Sequence, residues 1–303
     1  MQILYAFRGT ESDDLKRYER QLDQSMEGMF DLYILMLNLL TEIQIKAETY
    51  ESLKKAKLLG TADDKNPTLK FAENRLLNQL RTSLKLREVT AKRRVLNWQK
   101  DDEYVDLIFR AMLKSDKYVS YMASSTSDYK EDRQFILDLY KSVIAPNEKL
   151  YDYLEDQKIT WLDDVPVVNT VLVKMLKKLG PHDSGNKLLP DLFRDEEDRQ
   201  FGIDLLNKTL LNLTALNNII EDKTTNWDKD RIAKIDLVLL QMAICELQKF
   251  PSIPVKVTIN EYLEIAKEYS TPKSSIFING ILDKILKEYE AKGTLNKAGR
   301  GLM

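Results

Sequence analysis

The chain has one cysteine, one histidine, ten glycines and eight prolines in 303 residues. A lone Cys245 excludes an intramolecular disulfide and fits a reducing compartment. His182 stands in a polar stretch with no second Cys or His at ligand spacing, so no metal site is expected. The acidic clusters Asp63-Asp64 and Asp195 to Asp198 read as loop and helix-start charges. No glycine-rich loop offers a phosphate cradle, and no cofactor is expected. Average usage would give about 21 glycines and about 15 prolines; so few breakers, with abundant Leu, Lys, Glu and Ile, point to helices. Long apolar runs are lacking too. The longest, Leu32 to Leu40 with Asn38 inside, falls short of the ~20 residues of a membrane span. Met1 to Phe7 is apolar, but Arg8 follows at once without a small-residue cleavage site, which is not the pattern of a signal peptide. The expected location is the cytoplasm.

A basic surplus is also absent. The net charge is −2, with 31% charged and 43% hydrophobic residues, the composition of a globular chain. Nucleic-acid affinity rests mainly on cationic surface, so here it would need a local patch or a partner. The densest patch is Arg81 to Arg94, where Arg81, Lys85, Arg87, Lys92, Arg93 and Arg94 face only Glu88. Its plainest reading is a solvated helix face.

What is present is helical periodicity almost throughout. Asp31 to Leu40 opens a long helix that turns polar by Lys54-Lys55. Gly60 to Pro67 is a loop, a second helix covers roughly Thr68 to Val95, and a third covers Asp101 to Lys114 with Val105, Ile108, Phe109, Met112 and Leu113 on one side. Ser124 to Ser127 is a polar link, and Gly180 to Asn186 is the clearest break. Asp132-Arg133-Gln134-Phe135 recurs as Asp198-Arg199-Gln200-Phe201, and Trp161 recurs as Trp227 at the same offset of 66. All three tryptophans sit in W-x-x-D, each Asp ahead of an apolar run. That suits a helix start, where a carboxylate accepts backbone N–H bonds. Duplicated helix–loop–helix structure is one reading; chance similarity of amphipathic helices is the other.

Ile235 to Leu247 is apolar nearly all round, which predicts the central helix of a bundle. Cys245 within it reads as an inert core thiol, and Glu246 as an edge residue bonded to a neighbour or reaching water. Pro251 and Pro254 hold an extended connector. Ile259, Tyr262, Leu263, Ala266 and Tyr269 then repeat at helical spacing. Thr271-Pro272 restarts the chain as N-cap and first helical residue. Asn279-Gly280 inside the next helix is unusual, since glycine there costs about 1 kcal/mol relative to alanine. Either another helix approaches closely at Gly280, or a bare spot beside Phe277 and Asn279 admits a polymer. An exposed Phe can stack a base and an Asn can read a base edge.

These landmarks resemble the C-terminal half of the NusB family: Trp227, Arg231, Asp236, Glu246-Leu247, Pro254, Asn260-Glu261, Ala266-Lys267 and Phe277-Ile278-Asn279-Gly280-Ile281-Leu282 occur in the family's order. The likeness runs from Asp195 to about Glu290, and MQILYAF resembles the family's first helix through Gln2, Leu4 and Tyr5. The resemblance implies an all-α bundle: residues 1–8 begin the first family helix, 9–189 are a helical insertion containing the partial repeat, 190–290 are the family domain and 291–303 a flexible tail. It implies no catalysed reaction. It implies binding of boxA-type single-stranded RNA together with NusE, a small-subunit ribosomal protein, and delivery to RNA polymerase to suppress termination in ribosomal RNA transcription. On matching positions Gln2, Tyr5, Lys267, Lys273, Phe277 and Asn279 are the expected RNA face, and Glu246 the expected protein-partner residue.

The family carries arginines just before its first helix, whereas here Met1 stands inside the helix pattern. Those contacts are therefore expected upstream or relocated, with Arg87, Arg93 and Arg94 the natural substitute. The competing reading is a helical scaffold that keeps the fold and the protein partner without RNA affinity. A third, an RNA methyltransferase fragment, lacks its glycine-rich strand–turn–helix.

Overall fold

The computed structural model describes residues 1–8, 14–56, 68–224 and 232–299, and among them every regular element is helical. Two compact units emerge, one of residues 1–24 with 193–303 and one of residues 25–192. The chain opens with α1 (Gln2–Phe7) and α2 (Leu15–Lys55). The expected start of α2 at Asp31 is sixteen residues late. Leu15, Tyr18 and Leu22 form a helical stripe against the first unit's core, and the charges of LKRYERQLDQ mask that stripe in a search for apolar runs.

The second unit is built around the rest of α2. Leu32 to Leu37, Leu39, Leu40, Ile43 and Ala47 are all buried, as expected of a helix covered on every side. By length and composition α2 could cross a membrane, but 67% of that window is buried within the protein; it is a core helix. Around it run α3 (Arg75–Thr82), α4 (Leu84–Arg93), α5 (Asp102–Leu113), α6 (Asp116–Ala123), α7 (Tyr129–Leu139), α8 (Glu148–Gln157) and α9 (Trp161–Lys178). The single helix expected over Thr68 to Val95 is broken by Ser83, whose extended backbone ends α3 and whose hydroxyl accepts Leu86 N–H to start α4. Asn74, Ser115, Asp128 and Asn147 cap α3, α6, α7 and α8 in the same way, each satisfying an N–H that a helix start leaves open. The stripe expected on α5 is largely correct, with Val105, Ile108, Phe109 and Met112 buried. Gly180 to Asn186 does not divide the units: Gln79 donates to the carbonyls of Gly180 and Asp183, and Leu179 and Leu188 on either side are buried in this core.

Two tryptophans lock α2. Trp98 Nε1 donates to Leu35 O at 2.9 Å and Trp161 Nε1 to Gly28 O at 2.8 Å, two turns apart on one helix. Asp101 and Asp164 stand at helix starts as expected, but neither is the expected backbone acceptor. Asp101 instead accepts the Tyr153 hydroxyl at 2.7 Å. Asp164 has a buried oxygen without a hydrogen bond, and burial, with neighbouring Asp163, pushes its pKa up to about 6. Trp227 and Asp230 lie outside the described residues. The repeated tetrapeptides also sit in different surroundings. Asp132 and Phe135 are buried, Asp132 holding Arg75 and Tyr121, whereas Asp198 and Phe201 are exposed.

The first unit is completed by α10 (Glu196–Leu211), α11 (Leu213–Lys223), α12 (Lys234–Lys249), α13 (Val255–Tyr269) and α14 (Ser274–Lys292). Helix α12 is central as expected. It touches α1, α10, α11, α13 and α14, and residues 238–247 are buried without a break. Cys245 is buried, and desolvation raises its thiol pKa, which fits an inert core residue. Gly293 ends α14 in the left-handed conformation, φ +60. Beyond it the tail expected to be flexible is docked, in its described part, on this unit: Lys297 Nζ donates to Phe250 O, Ala298 N–H to Pro251 O, and Leu295 packs on the core.

Candidate nucleic-acid interface

Two buried carboxylates of α12 fix the helices that carry the expected RNA face. Asp236 accepts from Ser270 Oγ at 2.6 Å and Ser274 Oγ at 2.7 Å, joining the end of α13 and the start of α14 to one side chain. Thr271 does not cap α14 as expected. Its hydroxyl meets Ser274 Oγ within the same network, and the helix starts three residues later. Glu246 accepts from Thr258 Oγ1 at 2.7 Å and Tyr262 Oη at 2.9 Å. Burial, then the Glu246 charge, raises the Tyr262 pKa well above its ordinary value, so the phenol stays a donor.

With its start fixed, α14 presents Lys273, Ile276, Phe277, Gly280 and Lys284 along one side of an open groove of about 510 Å³, with Ile232, Ala233 and Asp236 among the facing residues. The spacing i, i+3, i+4, i+7, i+11 is one helical stripe. Phe277 is half-buried against the core, while Ile276 is 74% exposed. Among the described residues a Cβ built on Gly280 would meet nothing within 4 Å, so none of the described helices approaches closely there. Lys273 and Lys284 are exposed and have no ion pair among the described residues. Apolar walls between two uncompensated cations suit a ligand with flat apolar faces and negative charge on either side.

The remaining expected residues do not all gather there. Asn279 is exposed on α14 but lies outside the groove lining. Lys267 is exposed on α13 and already paired with Glu264. Gln2 and Tyr5 are exposed on α1, Tyr5 to 45%, and neither lines the groove. Glu246 requires a correction. It is 6% exposed with both oxygens occupied, so it acts as an internal clamp and not as a side chain reaching for a partner. It does contribute to the floor of a second groove, of about 900 Å³, walled by Phe201, Phe250 and Val257 and edged by Glu197, Asp204 and Glu261.

The basic stretch lies in the other unit and is partly spent. Arg93 bonds Asp31 and Glu27 and stacks over Phe30; Arg81 pairs with Glu48 at 2.7 Å. Arg87 and Arg94 are exposed, without an ion pair among the described residues. Sequence reasoning missed Ile276, Lys284 and the facing residues 232–233. The first two were findable as the continuation of the Lys273–Phe277 stripe; the last two come from a different helix start.

Among its described residues this all-α unit joins, in one exposed groove, apolar walls to two lysines without an ion pair, while its buried acids Asp236 and Glu246 are held by its own hydroxyl groups. The NusB family model matches residues 170–287, beginning within α9, ahead of the Asp195 expected from the landmarks. Proteins named transcription antitermination protein NusB are similar: that of Salinibacter ruber is 46% identical over 112 residues, 37% of this chain and 70% of that protein. That of Chloroherpeton thalassium is 42% identical over 113 residues, 37% of this chain and 54% of that protein. That of Finegoldia magna is 44% identical over 96 residues, 32% and 70% respectively. This chain belongs to the NusB family. No solved structure matches it.

Proposed function

We propose that the chain is a non-catalytic transcription antitermination factor that binds single-stranded, boxA-type RNA along the α14 groove. It does so with NusE and hands the complex to RNA polymerase during ribosomal RNA transcription. The observation that carries this reading is the groove itself, with half-buried Phe277 and bare Gly280 between the exposed Lys273 and Lys284. Gln2, Tyr5, Lys267 and Asn279 are proposed as outlying contacts. Arg87 and Arg94 are proposed as a separate phosphate-contacting patch of the second unit, residues 9–189 being the proposed insertion. The acid-edged groove over Glu246 is the proposed seat of the protein partner, since a basic protein complements its rim.

Fluorescence anisotropy with a boxA-type RNA, with and without NusE and across salt, tests this. The expected result is micromolar or tighter binding that strengthens with NusE and weakens as salt rises. Absence of binding under both conditions, with NusE still captured, would leave the scaffold reading. The net charge of −2 and a sequence pI of about 5.8 favour that second reading.

A further inference from the structure

We propose that Gly280 is kept bare for the ligand: one unstacked base of the RNA lies flat against the α14 backbone there, bracketed by Ile276 and Phe277. The inference rests on the RNA-binding reading and deepens it. Glycine inside a helix weakens it, so a fold-based reason would show as positive φ or close approach. Neither is present. The backbone at Gly280 is ordinary helix, and among the described residues a Cβ would meet nothing within 4 Å. The free protein would be more stable with a side chain at this position.

The space it leaves is not random surface. It lies in the groove lining between half-buried Phe277 and buried Ile281, with the exposed Ile276 one turn before it. Lys273 sits seven residues before and Lys284 four after, both without an ion pair among the described residues. At 1.5 Å per residue the Cα atoms of Lys273 and Lys284 stand about 16 Å apart along the helix, and their flexible side chains can lean inward toward the phosphates on either side of a seated nucleotide. A planar ring is the group that gains most from a side-chain-free wall next to a phenylalanine, because stacking needs close approach over its whole face. A duplex cannot present such a ring, so the pocket selects unpaired nucleotides.

The test compares the full chain with Gly280→Ala and Gly280→Leu by thermal unfolding and by anisotropy with boxA-type RNA, intact or carrying a single abasic nucleotide moved along the strand. Both variants are expected to unfold about 2 °C higher or more. RNA affinity is expected to fall about 10-fold for Ala and further for Leu. One abasic position should weaken the wild-type complex yet cost the Leu variant almost nothing. A lower midpoint for Gly280→Ala would mean the glycine serves the fold and would overturn the proposal. Wild-type RNA affinity in both variants would overturn it too while leaving the RNA-binding reading intact. Variants that keep RNA but lose NusE would assign the groove to protein. A wild-type chain that binds no RNA removes the reading beneath it.

Discussion

The two units meet their buried acids differently. In residues 25–192 buried Asp132 is met by the Arg75 guanidinium and buried Glu51 by the Lys54 ammonium, and the basic stretch is partly spent in the same way, Arg93 on Asp31 and Glu27 and Arg81 on Glu48. In the C-terminal unit the buried acids Asp236 and Glu246 are met by hydroxyl groups of Ser270, Ser274, Thr258 and Tyr262, leaving Lys273 and Lys284 uncompensated at the groove. A basic run in sequence is therefore a poor guide to where cationic surface lies. What matters is which carboxylates the fold brings within reach.

The sharpest way to break this comparison is through the clamp. Glu246→Ala leaves two buried hydroxyl donors without their acceptor, and is expected to destabilise the protein by about 3 kcal/mol. Urea unfolding followed by circular dichroism measures this; a loss under 1 kcal/mol would mean that Glu246 is not structural. Next comes the contrast between the two cationic regions. Lys273→Glu with Lys284→Glu is expected to weaken boxA-type RNA binding about 30-fold at low salt and to flatten its salt dependence. Arg87→Glu with Arg94→Glu should weaken it by only about 3-fold. Equal effects would erase the distinction between the units.

A further small effect concerns Asp164. Its folded pKa of about 6 lies above the unfolded value near 3.8, so the folded state holds the proton more tightly. Stability should then fall as pH rises from about 4 to 6, and the penalty should persist at neutral pH. The first-turn position of Asp164 in α9 favours its ionised form, but desolvation outweighs that. Asp164→Asn should gain about 1 kcal/mol at pH 7.5 and remove most of the slope. Chemical denaturation at pH 4, 5, 6 and 7.5 would show it, and an unchanged slope would refute it.

Helix α12 was legible from sequence because an apolar surface all round has one outcome in water, burial. The stripe of α5 was legible because its spacing matches one helical face. The early start of α2 was not, since a thin apolar stripe among charges has the composition of a surface helix until a core is laid against it. The break at Ser83 was hidden because serine is tolerated within helices as well as at caps. At the site, Lys273 and Phe277 were foreseen from a family likeness, but their joining with Lys284 and residues 232–233 was not. Glu246 was read as bonded to a neighbour at the edge of the core, as it is, but which hydroxyl groups face the carboxylate was not legible.

By itself, then, the amino-acid order determined an all-helical protein with a buried α12, a scarcity of reactive side chains and a family signature in its last third, since periodicity and composition act locally. Only the tertiary structure decided which charges are cancelled and which remain, and that Gly280 opens on a groove and not on another helix. Those are properties of distances between residues far apart in the chain, and local sequence does not encode them.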